Sequence, residues 1–429
     1  MSSISTTPAR AATPPAPSTR PPKLPSLTGL RFFAALLVFF FHSSLMDSPI
    51  PPNNPINPFA DSGVAGFYET LFSKSGYLGV SFFFVLSGFV LAWAARPGER
   101  VTAFLRRRLM KIFPNHLVVA ALALALFAGT AVSGVGDWLP NLLLIHTFFP
   151  QPGINLSINP PSWSLSSELL FYVAFPLLIV LIRKIADKRL WTWAGLMVVG
   201  MVGVQLVTQF LIPATPKSAI TPISDMQFWF GYLFPPGRLF EFALGILLAR
   251  IVASGRWPRV IGIRVSLVLA VIGYGAALVL PFQYGFAVAT IVPVGALICS
   301  VAGADVAGRR TGLRGRVMQL LGEVSFAFYL VQGITVFYLR SLLGQSTYSV
   351  PVAILVIIGF FSVSLLAGWL LHRYIEMPAM RRFSCSRKRP TTKPAAHTAA
   401  PAGAPSAGTP SAGTPDADRT DAVLVGAGS

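Results

Sequence analysis

The sequence predicts an all-α, polytopic integral membrane protein of about ten transmembrane helices, with both termini in the cytoplasm. Three observations carry that prediction. Of 429 residues, 53% are hydrophobic and only 11% charged, less than half the charged share of a soluble domain. Apolar runs of about 20 residues, the length that crosses a bilayer, recur along the chain. The basic residues gather in alternate connecting segments, as the positive-inside rule requires. The mean hydropathy of +0.64 agrees.

Residues 1–26 are rich in Pro, Ser, Thr and Ala and hold no apolar run, so they read as a disordered tail and not as a cleavable signal peptide. Spans follow near 28–46, 77–95, 111–132, 165–183, 190–212, 236–253, 264–281, 285–303, 317–342 and 350–372, defining a membrane domain over 27–383. Residues 384–429, basic and then rich in Pro, Ala and Gly, form a second disordered tail. The patch "WLPNLLLIHTFF" (138–149) is short and contains Pro140, and charge decides its place. If it stays on one side, 29 of the 34 Lys and Arg fall in cytoplasmic segments. Lys74 and Lys217 then lie outside, and Arg31, Arg238 and Arg340 lie within spans. If it crosses, "RKIADKR" and every later basic loop turn outward, against the rule. Ten spans is the consistent reading.

The same bookkeeping answers the net charge of +19. It belongs to cytoplasmic loops, so nucleic acid is excluded as a partner and the lipid bilayer is the expected one, in an inner or plasma membrane. The excess of Arg over Lys and the abundance of Ala point to a GC-rich, bacterial genome. Two cysteines, Cys299 and Cys385, are too few for a disulfide framework or a thiolate metal site. No metal motif, nucleotide loop or catalytic triad stands in recognisable context.

Ionisable residues inside spans are costly and mark function unless something else explains them. "LTGLRFFAALLVFFFH" (27–42) carries Arg31 and His42, eleven positions apart. At 100° per residue these share one helix face, about 16.5 Å apart along the axis. His42 is either an interfacial histidine or a functional intramembrane base. "RRRLMKIFP" (106–114), entering the third span, is either a positive-inside anchor or a phosphate-binding cluster of Arg107, Arg108 and Lys111; spacing leaves both open. "PPSWSLSSELLFYVAFP" (160–176) places Trp163, Ser164, Ser166 and Glu168 at the outer membrane edge, and the carboxylate exceeds what an aromatic belt with a serine cap needs. Arg238 and Glu241 in "GRLFEFALG" (237–245) are spaced to pair on one face and to hold a polar pocket in place.

These stretches, with "GVSFFFVLSGF" and "YIEMP", stand in the order seen in the membrane acyltransferase 3 family, which the chain resembles from about residue 25 to 380. The resemblance implies a ten-span core that moves acyl groups from acyl-CoA, as co-substrate and not as a bound cofactor, to hydroxyls. It implies His42 as the catalytic histidine with Arg31 as its partner, Arg107, Arg108 and Lys111 as the acyl-CoA motif, and Glu168 as the acidic residue of the Trp-Ser-Leu motif. Trp163, Ser166, Arg238 and Glu241 would support the pocket. Two departures stand out: Lys111 where the family often has Arg, and Gln332 where many members have histidine.

The wording of the first span is most similar to the branch that O-acylates macrolides and related natural products. A cell-surface glycan or lipid-linked sugar is the alternative acceptor; no extracytoplasmic domain is visible, which favours the small molecule. In the expected mechanism His42 is the general base, Glu168 orients the imidazole or the acceptor, and the CoA phosphates sit on the basic motif. A covalent acyl-histidine is a variant of it. Two other classes use the same residues differently. A proton-coupled transporter would show flux without acyl-CoA consumption, and a membrane scaffold would tolerate neutralisation of His42 and Glu168.

Overall fold

The computed structural model describes residues 22–48, 54–96, 98–126, 134–344 and 346–383. The expectations for tails 1–21 and 384–429, and for the end of the third span at 127–132, lie outside the described residues. Among the described residues the structure is helical throughout, with two isolated β-bridges and no strand. In chain order the helices are α1 (Pro25–Ser44), α2 (Ser62–Phe72), α3 (Ser75–Trp93), α4 (Val101–Leu126), α5 (Val135–Leu142), α6 (Pro152–Asn155), α7 (Trp163–Arg183) and α8 (Leu190–Phe210). After them come α9 (Asp225–Phe228), α10 (Pro235–Ala253), α11 (Ile263–Val279), α12 (Ile291–Val306), α13 (Arg316–Gln332), α14 (Leu339–Leu342), α15 (Val350–Leu371) and α16 (Met377–Phe383). Each of the ten apolar segments read from the sequence overlaps a helix among the described residues.

Seven helical stretches among the described residues are long and apolar enough to cross a membrane, and α11 and α12 are shorter apolar helices. The chain is therefore a polytopic membrane protein. The patch at 138–149 does not cross: α5 has eight residues, a rise of about 12 Å, and a 3₁₀ turn at His146–Phe148 follows. Two boundaries differ from the sequence reading. Helix α4 begins ten residues before the expected start at 111, so "RRRLMKIFP" sits inside a helix and not at its entrance. Helix α12 begins at Ile291 because a 3₁₀ turn occupies Phe282–Gly285.

Packing is organised around α1, α3, α10 and α13. Helix α1 lies against α3 and α13, and α10 lies against α3, α7 and α8. Helix α1 buries Leu27, Phe32, Ala35, Val38 and Phe39 in these contacts. On the outer helices Val199, Phe210, Val271, Leu355 and Leu366 stay exposed, as lipid-facing side chains do where lipid is as apolar as the core. The start of α1 needs partners for its free N–H groups. Leu24 offers no cap. Instead Asp305 of α12 accepts from Ser26 N at 2.8 Å and Ser26 Oγ at 2.6 Å, and Arg314 Nε donates to the same carboxylate at 2.8 Å.

The α3–α10 crossing depends on two glycines. A Cβ at Gly88 would stand 2.0 Å from the Phe242 carbonyl, and one at Gly245 would stand 2.0 Å from that of Val85. Small residues that let backbones touch are the usual device of helix association in lipid. Gly88→Val is expected to force the helices apart and to destabilise the protein by about 1–3 kcal/mol or more. An unaltered thermal melt in detergent would refute that account.

Candidate active site

Three cavities follow one another along the Arg31–His42 face of α1. The first, of about 420 Å³, opens at the Arg31 end between Lys23, Thr28, Arg31, Leu86, Trp93 and Gln319. The second, of about 40 Å³, is lined by Arg31, Val80, Phe83, Ser164, Glu168 and Tyr329, with Phe84, Leu165 and Phe326. The third, of about 90 Å³, contains His42 among Val80, Tyr77, Trp163, Tyr232 and Tyr329, with Asp47 at its edge. Arg31 belongs to the first and second, and Val80 and Tyr329 to the second and third. The helical arithmetic that put Arg31 and His42 on one face thus puts them on neighbouring cavities that share wall residues.

His42 is held on three sides. Its Nδ1 lies 2.8 Å from Gln332 Oε1, and its ring meets Phe337 edge-on at 5.2 Å and Phe41 at 5.5 Å between centroids. The sequence reading gave Glu168 the task of orienting the imidazole or the acceptor. The structure gives that hydrogen bond to Gln332, the residue that had stood out only as a departure from the family's pattern.

Glu168 belongs instead with the cations. It lines the middle cavity with Arg31, interacts electrostatically with Lys111, Arg31 and Arg108, and accepts a hydrogen bond from Tyr172. Although α7 starts at Trp163, Glu168 lies more than a turn inside it, which carries the carboxylate away from the helix end where the sequence placed it. The basic motif divides. Arg108 lies over the rings of Phe104 and Tyr172, at 5.6 and 5.9 Å, and Lys111, three residues on, interacts with Arg31, Glu376, Arg108 and Glu168. Arg107 turns elsewhere and pairs with Glu99. Glu376 of "YIEMP" accepts from Asn115 Nδ2 at 3.0 Å and lies 3.2 Å from His372 Nδ1. Neither Glu376 nor Asn115 drew notice in the sequence beyond that motif.

Trp163 forms a wall of the His42 cavity with Tyr232, at 4.5 Å between centroids. Ser164 supports Tyr329: their hydroxyls are 2.9 Å apart, and Tyr329 donates to the Pro161 carbonyl at 2.8 Å. Ser166, two residues on, faces His146 Nδ1 at 3.2 Å and so supports the segment between α5 and α7, not the His42 cavity. That segment is irregular and partly buried, with Leu144, His146, Thr147 and Asn155 inside and the stretch 157–162 buried throughout. Asn141 Nδ2 donates to Ser157 O at 2.8 Å, His116 Nε2 donates to Asn141 O at 2.9 Å, and Asn159 Nδ2 donates to Leu330 O at 3.0 Å. Leu144 and Ile158 take φ of 58° and 61°, a strained choice for bulky side chains, Ile158 being β-branched as well, that only surrounding structure can hold. Leu156, Pro160 and Pro161 of this segment line the His42 cavity. Arg238 and Glu241 form a buried pair at 2.9 Å. The guanidinium lies over Phe84 and Tyr232, at 5.3 and 5.0 Å, one ring from each of the two inner cavities.

Comparison with known proteins places this geometry. A family model described as an acyltransferase domain matches residues 24–373. "Acyltransferase MdmB" of Streptomyces mycarofaciens is 40% identical over 394 residues, 88% of this chain and 97% of that protein. "Nodulation protein 10" of Rhizobium leguminosarum bv. viciae is 27% identical over 190 residues, 40% of this chain and 47% of that protein. No solved structure matches.

The buried pair supplies a test of the site's scaffold. Glu241→Gln leaves Arg238 charged in the core without its counter-charge and is expected to cost about 3–5 kcal/mol, while replacing both residues with apolar ones of similar volume costs far less. Melting curves of the single and double variants decide it; equal losses would mean the pair contributes shape and not charge balance.

Proposed function

The chain belongs to the membrane acyltransferase 3 family, and from that premise we propose that it moves an acetyl or other short acyl group from acyl-CoA to a hydroxyl of a natural product, a macrolide or similar molecule or a sugar on it. The observation that carries the reading is the series of cavities joined by Arg31, Val80 and Tyr329, with cations at one end and a histidine at the other.

In this reading the basic loops lie in the cytoplasm, and CoA enters the wide cleft at the Arg31 end. Lys23 and Arg31 face its phosphates there, Arg for its forked donors and Lys as a point charge. Arg108 and Lys111 stand behind Arg31 and keep the field positive, with Glu168 and Glu376 balancing part of that charge. Arg107 is relieved of a phosphate role by its pairing with Glu99. The pantetheine arm runs through the narrow middle cavity, and the thioester arrives beside His42. The axial run of about 16.5 Å from Arg31 to His42 is of the length such an extended arm covers.

The acceptor occupies the third cavity, whose aromatic walls suit an amphiphilic molecule. His42 Nε2 takes the proton of the acceptor hydroxyl as the oxygen forms its bond to the thioester carbonyl carbon. The tetrahedral intermediate collapses with loss of the C–S bond, and the imidazolium returns its proton to the departing thiolate, so the products are the ester and free CoA. Direct transfer needs no acyl-histidine.

His42→Ala is expected to lower transfer of radiolabelled acetyl from acetyl-CoA by about a thousandfold, within the range of a lost general base, while acetyl-CoA still raises the melting temperature. Wild-type turnover in that variant would end the proposal. Val80→Phe fills the junction of the two inner cavities and is expected to stop transfer with acetyl-CoA binding intact. Solute flux without acyl-CoA consumption would favour a transporter instead.

A further inference from the structure

We infer that Gln332 is a positioning residue that fixes His42 in a single neutral tautomer, proton on Nδ1 and lone pair on Nε2, facing the acceptor cavity. The inference rests on His42 as the base proposed above and adds the residue that makes it a base at the correct nitrogen.

An amide side chain has one end that accepts and one that donates, so its orientation reports on its neighbours. Gln332 is fully buried. Its Nε2 donates to the Ala35 carbonyl at 3.4 Å, an acceptor that no rotation of the amide converts into a donor. The other end, Oε1, therefore faces His42 Nδ1 at 2.8 Å. An oxygen acceptor opposite Nδ1 requires that nitrogen to carry the hydrogen. In a neutral imidazole the second nitrogen is then bare, and His42 is a lining residue of the third cavity.

Helix α1 makes this arrangement possible through its period: Ala35 and His42 are seven positions apart, within about 20° of one face. One glutamine reaching in from α13 thus meets both. The backbone following Gln332 contributes as well. Gly333–Tyr338 is a π-helical segment. In an α-helix Gln332 and Phe337, five positions apart, would point about 140° apart. The i→i+5 bonding of a π turn narrows that angle, and Gln332 and Phe337 both touch the same imidazole. Gly333 is required for the approach, because a Cβ there would stand 1.7 Å from Asn159 Oδ1. Asn159 in turn fastens the buried irregular segment to Leu330 of α13. The carbonyl, the amide and the imidazole are therefore held on backbone that is fixed independently on both sides.

A histidine at position 332 would not repeat this, since an imidazole can meet Nδ1 with either a donor or an acceptor. Glutamine removes the ambiguity.

The test uses the full-length protein in lipid bilayers. Gln332→Met keeps length and burial but deletes the acceptor. It is expected to lower kcat by about 10- to 100-fold, the effect of an unmade hydrogen bond on a buried group, with the KM for acetyl-CoA unchanged. Gln332→Glu restores an acceptor and is expected to recover most of that kcat. The independent readout is nitrogen NMR of ¹⁵N-histidine-labelled protein, taken as the difference between wild type and His42→Ala. It should show a protonated Nδ1 and a bare Nε2, and in Gln332→Met a mixture of tautomers. A wild-type kcat in Gln332→Met, a Gln332→Glu variant as slow as Gln332→Met, or a difference spectrum with the proton on Nε2 would each overturn the inference. Undiminished turnover in His42→Ala with the expected spectrum would instead remove the catalytic reading and leave the tautomer assignment standing.

Discussion

An arginine and a histidine on one face of an apolar helix have to be enclosed by protein, because lipid offers neither of them a partner. The rest of the structure follows from that requirement. Helices α3 and α13 cover the charged face of α1, and α10 backs α3 through a glycine crossing that no larger residue permits. The carboxylate of Asp305 fixes the beginning of α1, so the height of Arg31 and His42 is set by a contact at the helix end. Where enclosure leaves space, it leaves it along the same face, and that space is the candidate site.

The segment between α5 and α7 meets a related constraint. Irregular backbone inside a membrane protein is stable when buried in protein or lining a cavity, and in this one the stretch 156–161 does both. Its peptide groups are satisfied by side chains from within it and by helix carbonyls, and its strained residues, Leu144 and Ile158, are themselves buried. Strain of this kind persists where surrounding contacts over-determine it. The residues so fixed, Leu156, Pro160 and Pro161, form the side of the His42 cavity opposite α1, so the rigidity reaches the proposed reacting groups.

What was legible in the sequence had a period or a local composition. Apolar length located the helices, and the eleven-residue interval of Arg31 and His42 located their common face, since both signals are written within one helix. The partner of His42 was not legible: Gln332 is 290 residues away, and nothing at position 332 marks it apart from a departure from the family's usual histidine. The division of Arg107 from Arg108 and Lys111 was hidden for a similar reason. It depends on where α4 begins, and a basic stretch upstream of an apolar run looks like a loop until the helix is seen to pass through it. That Glu168 lines a cavity with Arg31 was hidden because a motif gives order along the chain but not the angle at which a helix turns into the protein.

The narrow middle cavity has a consequence of another kind. On the proposed route, a passage that admits a thioester would, if wet, also leak ions across the membrane. Its walls are Val80, Phe83, Phe84, Leu165 and Phe326, an apolar ring of the sort that dewets and so blocks ions in channels. Arg31, Glu168 and the hydroxyls of Ser164 and Tyr329 are the polar groups in that lining. On the proposed route, the residues that would set how large an acyl group passes are also the ones that would keep the membrane sealed to ions, and widening the first property by mutation would be limited by the second.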